Sequence, residues 1–460
     1  MSKESSEKNE PIGIPPLKSD IRDVGKSQVD FVRERAKELL PMLCEQYAVL
    51  HEHPELGGEE FRTAEQIKKF LEAEGIEIVG EKIGSIKGSK GTGIVARIKG
   101  KEGGPTIALR ADMDALPLQE NKDHNHCSQE GNKMHACGHD AHMTGLIGGA
   151  KILSELAKKG QLEGNVVLLF QPSEEKAHQK ESGAVQMIRF LEKNGLRKDI
   201  DAFFGIHVWA EEERGYVSMT EGPMCYSSGE VDIILTDTGG HVKNAYEQAN
   251  LNRISSEITV RLSDLFQPLA EKKEALIASV GTKFVGEGYN VLRTQAESTW
   301  VVRIASPEYR TISKDIRAQI EKVVNEVVEK YDSKKTVTAK MKPRHGYRPI
   351  IHRSPDLVGI AGQSAQDAIP NFRRANDQIP GGEDFSFYLE NLRGKEIPGV
   401  FAMVGSANEA KGIQKGPHHS PNFRIDEEVL AELAGLHANF TLNAIKYFKD
   451  KKKIVDDKNK

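Results

Sequence analysis

The chain has 460 residues, of which 38% are hydrophobic and 29% charged, and 64 basic against 68 acidic side chains give a formal net charge of −4. This composition is typical of a globular protein and too apolar for a disordered one, and the charge balance gives no support for a nucleic-acid partner. No apolar run is long enough for a membrane span, the N-terminus has no apolar stretch typical of a secretory signal, and four cysteines are too few for a disulfide scaffold. We therefore predict a cytoplasmic protein with no membrane partner.

The N-terminal region predicts an arm followed by two helices. Residues 1–26 are charged and contain prolines, which favours a flexible arm. A helix over 28–49, with Pro41 inside it, is indicated by apolar residues at helical spacing, namely Val29, Val32, Ala36, Leu39 and Leu43. A second helix is predicted to begin at Thr63 as its N-cap and to end at Gly75.

Four short apolar runs then predict the strands of a core sheet. They are GIVARI (93–98), TIALRAD (106–112), VVLLFQP (166–172) and DAFFGIHV (201–208). Nearly continuous apolar runs are typical of strands covered on both faces, and a helix over 141–159 lies between them. The sequence therefore predicts an α/β fold with a mixed, mostly parallel sheet covered by helices.

The pattern changes near Gly229. Strands and helices are predicted in the order β-α-β-β-α-β, over 230–236, 254–266, 275–285, 296–304, 307–331 and 335–341. This order is that of a ferredoxin-like α+β unit.

We accordingly predict a catalytic domain interrupted by an inserted domain. Its first part covers 27–226, the inserted lid or dimerisation domain 227–342, and its second part 343–460. A last helix is expected over 426–448, opened by Asp426, and the lysine-rich residues after it are expected to form a solvated tail.

The sharpest local signal is MHACGHDAH (134–142), where Cys137 and His139 stand two residues apart before a helix. Thiolate and imidazole are both metal ligands, and such a pair can share one metal or let Cys137 bridge two. The alternative is an accidental pair. His142 is expected only to pack or cap.

A second signal is FQPSEEK (170–176), in which Glu174 and Glu175 follow the end of a buried strand. Ligands bind beyond the carboxyl ends of strands in α/β sheets. One glutamate could bind a metal while its neighbour acts as a general base. The alternative is a solvated charged loop.

Further polar residues follow other strands. They are His207, Asp112, Asp114, His418 and His419. The structural alternative is a buried histidine for His207, a turn-forming pair for the two aspartates, and a surface loop for the last two histidines. Together with Cys137, His139, Glu174 and Glu175, they place donors beyond the ends of several predicted core strands, and the whole set supplies enough donors for two metals and one spare carboxylate.

These motifs resemble those of the aminoacylase and carboxypeptidase family of dinuclear metallohydrolases, in the branch of N-acyl-amino-acid amidohydrolases, hippurate hydrolases and auxin-conjugate hydrolases. The matching blocks are HEHPELGGEEFRTA (51–64), LRADMDALPLQE (109–120), MHACGHDAH, FQPSEE, GIHV (205–208), TGGH (238–241), GGEDFSFY (381–388) and HHSPNFRIDEE (418–428). They span nearly the whole chain beyond the N-terminal arm.

The resemblance implies roles for individual residues. It implies five metal ligands, namely Cys137, His139, Glu175, His207 and His419, of which Cys137 is the bridging one. His419 is chosen over His418 because it stands two residues before the proline. It implies that Glu174 is the general acid and base and that Asp114 orients the site.

The implied activity is hydrolysis of the amide of N-acyl-L-amino acids, through a metal-bridged water with Glu174 as base and two divalent ions, Mn or Zn. A metallo-dipeptidase or carboxypeptidase is the alternative within this class. A non-catalytic binding protein with the same fold is the alternative outside it.

In the inserted domain the resemblance is weaker. It implies that His241 reaches an active site, often that of a partner subunit in a homodimer, but the residues after it depart from the family pattern. Asn290 in NVLR and Arg303 in STWVVR match substrate-binding positions, although Arg303 could equally be a strand-surface arginine. His126 and Cys127, with His124, are interpreted as a polar loop.

Overall fold

The structure of the chain is a computed structural model that describes residues 25–84, 91–122, 125–176, 182–390 and 396–458. The predicted N-terminal arm therefore lies outside the described residues up to position 24, as does His124.

The chain divides into two compact units. Of the described residues, the first unit contains those up to Glu221, His352–Asp377 and those from Phe387 onwards, and the second contains Gly222–Ile351 and Gln378–Ser386. The role of residues 227–342 as a lid or dimerisation domain stays a prediction.

The described α-helices are α1 (Lys26–Glu52), α2 (Phe61–Ala73), α3 (His139–Lys158), α4 (Gly183–Lys193), α5 (Leu251–Glu271), α6 (Tyr309–Tyr331), α7 (Pro355–Ala368), α8 (Ser386–Leu389) and α9 (Val429–Lys458). The strands are β1 (Glu77–Ile83), β2 (Gly93–Ile98), β3 (Thr106–Asp112), β4 (Asn165–Gln171), β5 (Ala202–Glu213), β6 (Tyr216–Ser218), β7 (Gly222–Cys225), β8 (Gly229–Thr236), β9 (Gly240–His241), β10 (Ala275–Val285), β11 (Val291–Leu292), β12 (Gln295–Ile304), β13 (Thr338–His345), β14 (Ile350–His352), β15 (Arg373–Ala375) and β16 (Gly399–Ala407).

The first unit is built on an eight-stranded sheet in the order β1-β2-β4-β3-β5-β16-β6-β15. The central pairs β3–β4, β3–β5 and β5–β16 are parallel, while β1–β2, β2–β4 and β6–β16 are antiparallel. Every residue of β3 is buried, as expected for a strand covered on both faces. The predicted α/β fold class is confirmed.

Glycines let two helices of this unit approach closely. An added Cβ at Gly145 of α3 would lie 2.6 Å from the Cβ of Leu433 of α9, and one at Gly148 would lie 2.6 Å from the Cβ of Ala434. Larger side chains at these positions would therefore push α9 away from α3. This packing matters for the site because α3 begins at His139.

The second unit contains the antiparallel sheet β10-β12-β8-β13. Side chains alternate along β12, so Trp300, Val302 and Ile304 join a core with α5 and α6. The element order β-α-β-β-α-β agrees with the prediction, and the short strands β9 and β11 form an additional pair.

Several helix boundaries differ from the predictions: α1 and α5 are longer at both ends, α3 begins at His139, and α9 begins at Val429 although Asp426 was expected to open it. Helix α2 begins at Phe61 instead of after Thr63, because the Glu55 carboxylate accepts hydrogen bonds from the N–H groups of Arg62 and Thr63. The predicted end of the last helix at 448 is wrong: α9 continues to Lys458, since the sequence after residue 448 contains no glycine or proline to end it. Residues 449–454 of this extension are exposed, as expected for a solvated segment. Across the residues that the structure describes, each helix is too short or too polar to span a bilayer.

Candidate metal centre

Most predicted site residues of the first unit lie at the ends of its central elements, whereas His207, predicted near the end of a strand, lies inside β5, which continues to Glu213. Asp112 ends β3, Glu174 and Glu175 follow β4, His207 lies on β5, and His139 begins α3. Gly138 caps α3 with φ +91°, a conformation that favours glycine, so the chain turns sharply between Cys137 and His139.

The five predicted ligands and Glu174 come together in overlapping groups whose donor atoms all lie within 4.8 Å of one another. These groups are Cys137 with His139 and His207, Cys137 with Glu175 and His419, and His139 with Glu174 and Glu175. Cys137 Sγ lies 3.3 Å from His207 Nε2, and His419 Nε2 lies 3.1 Å from Glu175 Oε1. The sharing of Cys137 between two groups fits the bridging position predicted for it.

The chemistry of this cluster fits cations. His139 is 1% exposed, yet neither of its ring nitrogens has a hydrogen-bond partner among the described residues. Carboxylate oxygens of Asp114 and Asp112 lie 3.4 and 3.6 Å from those nitrogens. Burial alone would lower the pKa of His139, but the negative charge of Asp112 and Asp114 raises it to about 10. A buried group of donors with excess negative charge is suited to metal ions.

The thiol of Cys137 leads to the same conclusion. Burial, together with the nearby carboxylates of Glu175 and Glu174, raises the pKa of this thiol well above its ordinary value. A metal ligand must be the thiolate. A cation at this position would therefore supply the charge that makes the thiolate stable.

Asp114 fixes the turn that carries the two glutamates. Its Oδ1 accepts a hydrogen bond from the N–H of Glu174 at 2.9 Å, and its Oδ2 accepts one from the N–H of Glu175 at 3.0 Å. Glu174 is 6% exposed. Asp114 thus contacts the main chain of the turn, which agrees with the orienting role predicted for it.

Asp112 has different partners. It accepts hydrogen bonds from Arg110 and from Nδ1 of His142, both at 2.6 Å, while Nε2 of His142 accepts one from the N–H of Val208 at 2.9 Å. Asp112 and His142 could join His139 as metal donors by distance alone. Since they bond to each other, we interpret them as supports, as expected for His142.

The two adjacent histidines after β16 have different surroundings. His418 accepts a hydrogen bond from the N–H of Ala210 through Nε2, and its ring stacks on Trp209 with centroids 4.6 Å apart. His419, with φ +58°, points Nε2 to Glu175. This difference supports the choice of His419 as the ligand.

Sequence reasoning missed Glu60, whose buried carboxylate contacts the same turn, and Arg110, which holds Asp112. Both stand in motifs noted in the sequence. No spacing rule relates Glu60 to Ser173, 113 positions away, whereas Arg110 and Asp112 stand two apart on β3, a spacing that puts their side chains on the same face of the strand. His126 bonds to Glu52. Neither His126 nor Cys127 joins a group of metal donors among the described residues, in keeping with a polar loop.

The remaining predicted site residues belong to the second unit. His241 lies on β9 opposite Val291, and the carbonyl of Asn290 accepts a hydrogen bond from the N–H of Val242. Arg303 lies half-buried on β12. Their functional roles stay predictions.

Comparisons with known proteins identify the family of the chain. Residues 108–443 match the sequence model of Peptidase family M20/M25/M40. The chain is 31% identical over 382 residues to N-acetylcysteine deacetylase of Bacillus subtilis (strain 168), covering 83% of this chain and 91% of that protein. It is 31% identical over 457 residues to IAA-amino acid hydrolase ILR1-like 2 of Arabidopsis thaliana, covering 95% and 92%.

A solved structure is similar over most of the chain. It is that of the Bacillus subtilis YXEP protein, named a dinuclear metal binding peptidase from the M20 family, with a TM-score of 0.71 and 28% identity over 89% of this chain and 99% of that one. The present chain belongs to peptidase family M20/M25/M40. This membership confirms the predicted resemblance and the prediction of a metal-dependent hydrolase of amide bonds.

Proposed function

We propose that the chain hydrolyses N-acyl-L-amino acids to a carboxylate and a free amino acid, with two divalent ions and with Glu174 as general base. The observation that carries this proposal is the turn after β4, which presents Glu174 and Glu175 within 4.8 Å of His139. The relatives named N-acetylcysteine deacetylase and IAA-amino acid hydrolase support the substrate class.

Five residues would hold the two ions, with Cys137 between them because it belongs to two donor groups. The set is Cys137, His139, Glu175, His207 and His419. Thiolate, imidazole and carboxylate ligands suit Zn and Mn. The relative named as a dinuclear metal binding peptidase supports a pair of ions.

The ions, when bound, would polarise the amide carbonyl and lower the pKa of the attacking water. Glu174 accepts the proton of that water and delivers it to the amide nitrogen as the C–N bond breaks. The Glu174 side chain is buried, and Asp114 fixes its main chain, so the carboxylate is held in place for both transfers.

Three residues of the second unit carry roles that the family resemblance implies. We assign to His241 the stabilisation of the tetrahedral intermediate, to Arg303 a grip on the substrate carboxylate, and to Asn290 a further substrate contact. A homodimer through this unit is supported by β10, an edge strand that exposes Val280 and Phe284. A cytoplasmic location completes the proposal.

A carboxypeptidase or dipeptidase is the second candidate. It is favoured by the likeness to thermostable carboxypeptidase 2 of Saccharolobus solfataricus, 30% identical over 421 residues that cover 91% of this chain and 98% of that protein. A panel of N-acetyl, N-benzoyl and indole-acetyl amino acids, assayed beside dipeptides and longer peptides, separates the two candidates by their kcat/KM.

The mechanism is tested by Glu174→Gln, which keeps the size of the side chain and removes its basicity. We expect unchanged metal content and a loss of turnover of at least about 100-fold, the usual contribution of a general base. A non-catalytic binding protein would show no turnover in either the wild type or the Glu174→Gln variant. Unchanged turnover in the variant would remove the proposed role of Glu174.

A further inference from the structure

Three successive backbone N–H groups in the turn after β4 donate hydrogen bonds to buried carboxylates. Asp114 accepts from Glu174 and Glu175, and Glu60 Oε1 accepts from the N–H of Ser173 at 2.9 Å. Ser173 has φ +55°, a conformation that side-chain-bearing residues adopt at a cost. The turn is therefore held in its conformation by Glu60 and Asp114 together.

The Glu60 carboxylate is fixed on its other side. Thr92 donates its hydroxyl proton to Glu60 Oε2 at 2.7 Å, and Glu60 is fully buried. The side chain can therefore keep its Oε1 aimed at the Ser173 amide without large rearrangement. The loop before it packs tightly as well, since a Cβ added at Gly57 would lie 3.0 Å from Asp114 Oδ2 and 3.1 Å from Ser173 Cα.

The position of Glu60 before helix α2 does not account for its carboxylate. Glu60 is the N-cap residue of α2, but its side chain makes no capping hydrogen bond. The helix N-terminus is capped instead by Glu55, which accepts from the N–H groups of Arg62 and Thr63 at 3.1 and 2.9 Å. The Glu60 carboxylate is thus available to the distant turn.

The arrangement also has an electrostatic cost. Burial and the negative charge of Asp114 raise the pKa of Glu60 to about 7. The Glu60 carboxyl group is therefore held in a buried place where the negative charge of Asp114 disfavours its ionisation. Such costs are typical of functional sites, where position matters more than stability.

We propose that Glu60 is a positioning residue for the hydrolysis, because by holding the Ser173 amide it fixes, with Asp114, the orientation of the Glu174 carboxylate. The proposal rests on the proposed role of Glu174. It gives a function to the HEHPELGGEE segment (51–60), to which no role was assigned by the sequence.

The test compares Glu60→Leu, which removes the acceptor, with Glu60→Gln, which keeps an oxygen for Ser173 and can donate to Thr92. The matched control is Glu55→Leu, the same change in the same loop, which removes the helix cap and leaves Ser173 its partner. Steady-state kinetics of the metal-loaded proteins on the N-acyl amino acid panel are combined with hydrogen–deuterium exchange of the peptide 170–176.

We expect Glu60→Leu to lower kcat at least 10-fold with KM changed less than threefold, and to make the 170–176 amides exchange at least 10-fold faster. Glu60→Gln should restore kcat to within about threefold of the wild type, and Glu55→Leu should change neither readout more than threefold. If Glu60→Leu does not fold, Glu60→Asp, which keeps the charge but is one methylene shorter, should show the same kcat and exchange effects.

Equal kcat in Glu60→Leu and the wild type would overturn the proposal, as would equal losses of kcat in Glu60→Gln and Glu60→Leu. A wild-type protein inactive on the whole panel would overturn the proposed function instead. In that event the exchange rates still decide whether Glu60 holds the turn, since unchanged exchange in Glu60→Leu contradicts it and faster exchange supports it.

Discussion

Cys137 Sγ lies 3.3 Å from Nε2 of His207, although 70 positions separate the two residues in the chain. One stands before α3 and the other on β5, so their contact depends on the whole α/β layer of the first unit. Two soft donors that meet in a buried place are the most direct sign of a metal centre in this chain.

Replacing this thiol should therefore weaken metal binding. We expect Cys137→Ser to lower metal affinity by more than about 10-fold, because replacing even a residue that only holds a metal ligand in place lowers affinity by about 10- to 100-fold. Activity should fall in parallel. Metal content after dialysis against a weak chelator measures the effect. Cys127→Ser is the control, because Cys127 joins no donor group among the described residues. Equal metal retention in both variants would contradict the assignment.

Asp114 provides a second prediction. In Asp114→Ala the N–H groups of Glu174 and Glu175 lose their shared acceptor, and an unsatisfied buried N–H costs about 1–3 kcal/mol. We expect kcat to fall by about 10-fold or more, with a smaller loss in Asp114→Asn, which keeps one acceptor oxygen. Steady-state kinetics with matched metal content decide this. A kcat unchanged in Asp114→Ala would show that the turn holds its conformation without this carboxylate.

Gly57 gives a prediction about packing. A Cβ at this position would lie 3.0 Å from Asp114 Oδ2, 3.1 Å from Ser173 Cα and 3.1 Å from Lys176 Cε. Since two of these contacts involve the turn and its anchor, we expect Gly57→Ala to lower both the thermal midpoint and kcat, with an overpacking cost of about 1–3 kcal/mol. Thermal unfolding and kinetics measure the two effects. The control is Gly25→Ala, where the added Cβ has no atom within 4 Å. A Gly57→Ala variant as stable and active as Gly25→Ala would refute the predicted clash.

His352 predicts how stability depends on pH. Its Nδ1–H donates to the carbonyl of Thr220 at 2.7 Å, and its Nε2 accepts from the N–H of Phe401 at 2.9 Å. Burial lowers the pKa of His352 from 6.5 to about 4. The neutral ring therefore contributes stability that is present above pH 6.5 and is lost as the pH falls from there towards 4, up to about 3 kcal/mol in all.

Urea unfolding at pH 7.5 and 5.5 checks this prediction against His352→Gln, which can donate and accept in the same places and does not titrate. The wild type should lose about 1 kcal/mol more of its free energy of unfolding between these two pH values than the variant. The other titrating groups are common to both proteins and cancel in the comparison. An identical pH dependence would show that folding does not lower the pKa of His352.

The sequence predicted the sheet and most of the metal centre because their signals are local. Buried strands such as β3 are continuous apolar runs, and polar donors just after such strands must lie at one edge of the sheet. The contact of Glu60 with Ser173 could not be predicted in this way. It joins residues 113 positions apart, and it depends on a positive φ at a serine, for which the sequence carries no sign.

Helix ends were predicted less well for a related reason. Helix α2 ends at Ala73, and the cause is local, since Gly75 follows two residues later with φ +66°. Its beginning depends on Glu55, a carboxylate outside the helix, and so it begins earlier than the N-cap signal at Thr63 suggested.

The position of β16 has a consequence for how the protein is made. This strand lies between β5 and β6 in the sheet, but it comes from the last quarter of the chain, shortly before His419 and α9. Until these residues have been synthesised, the sheet has a gap between β5 and β6, and the donor cluster lacks His419. Complete metal loading therefore has to wait until synthesis is nearly finished. The strands and helices of residues 229–345 are synthesised earlier and can fold before β16 is complete.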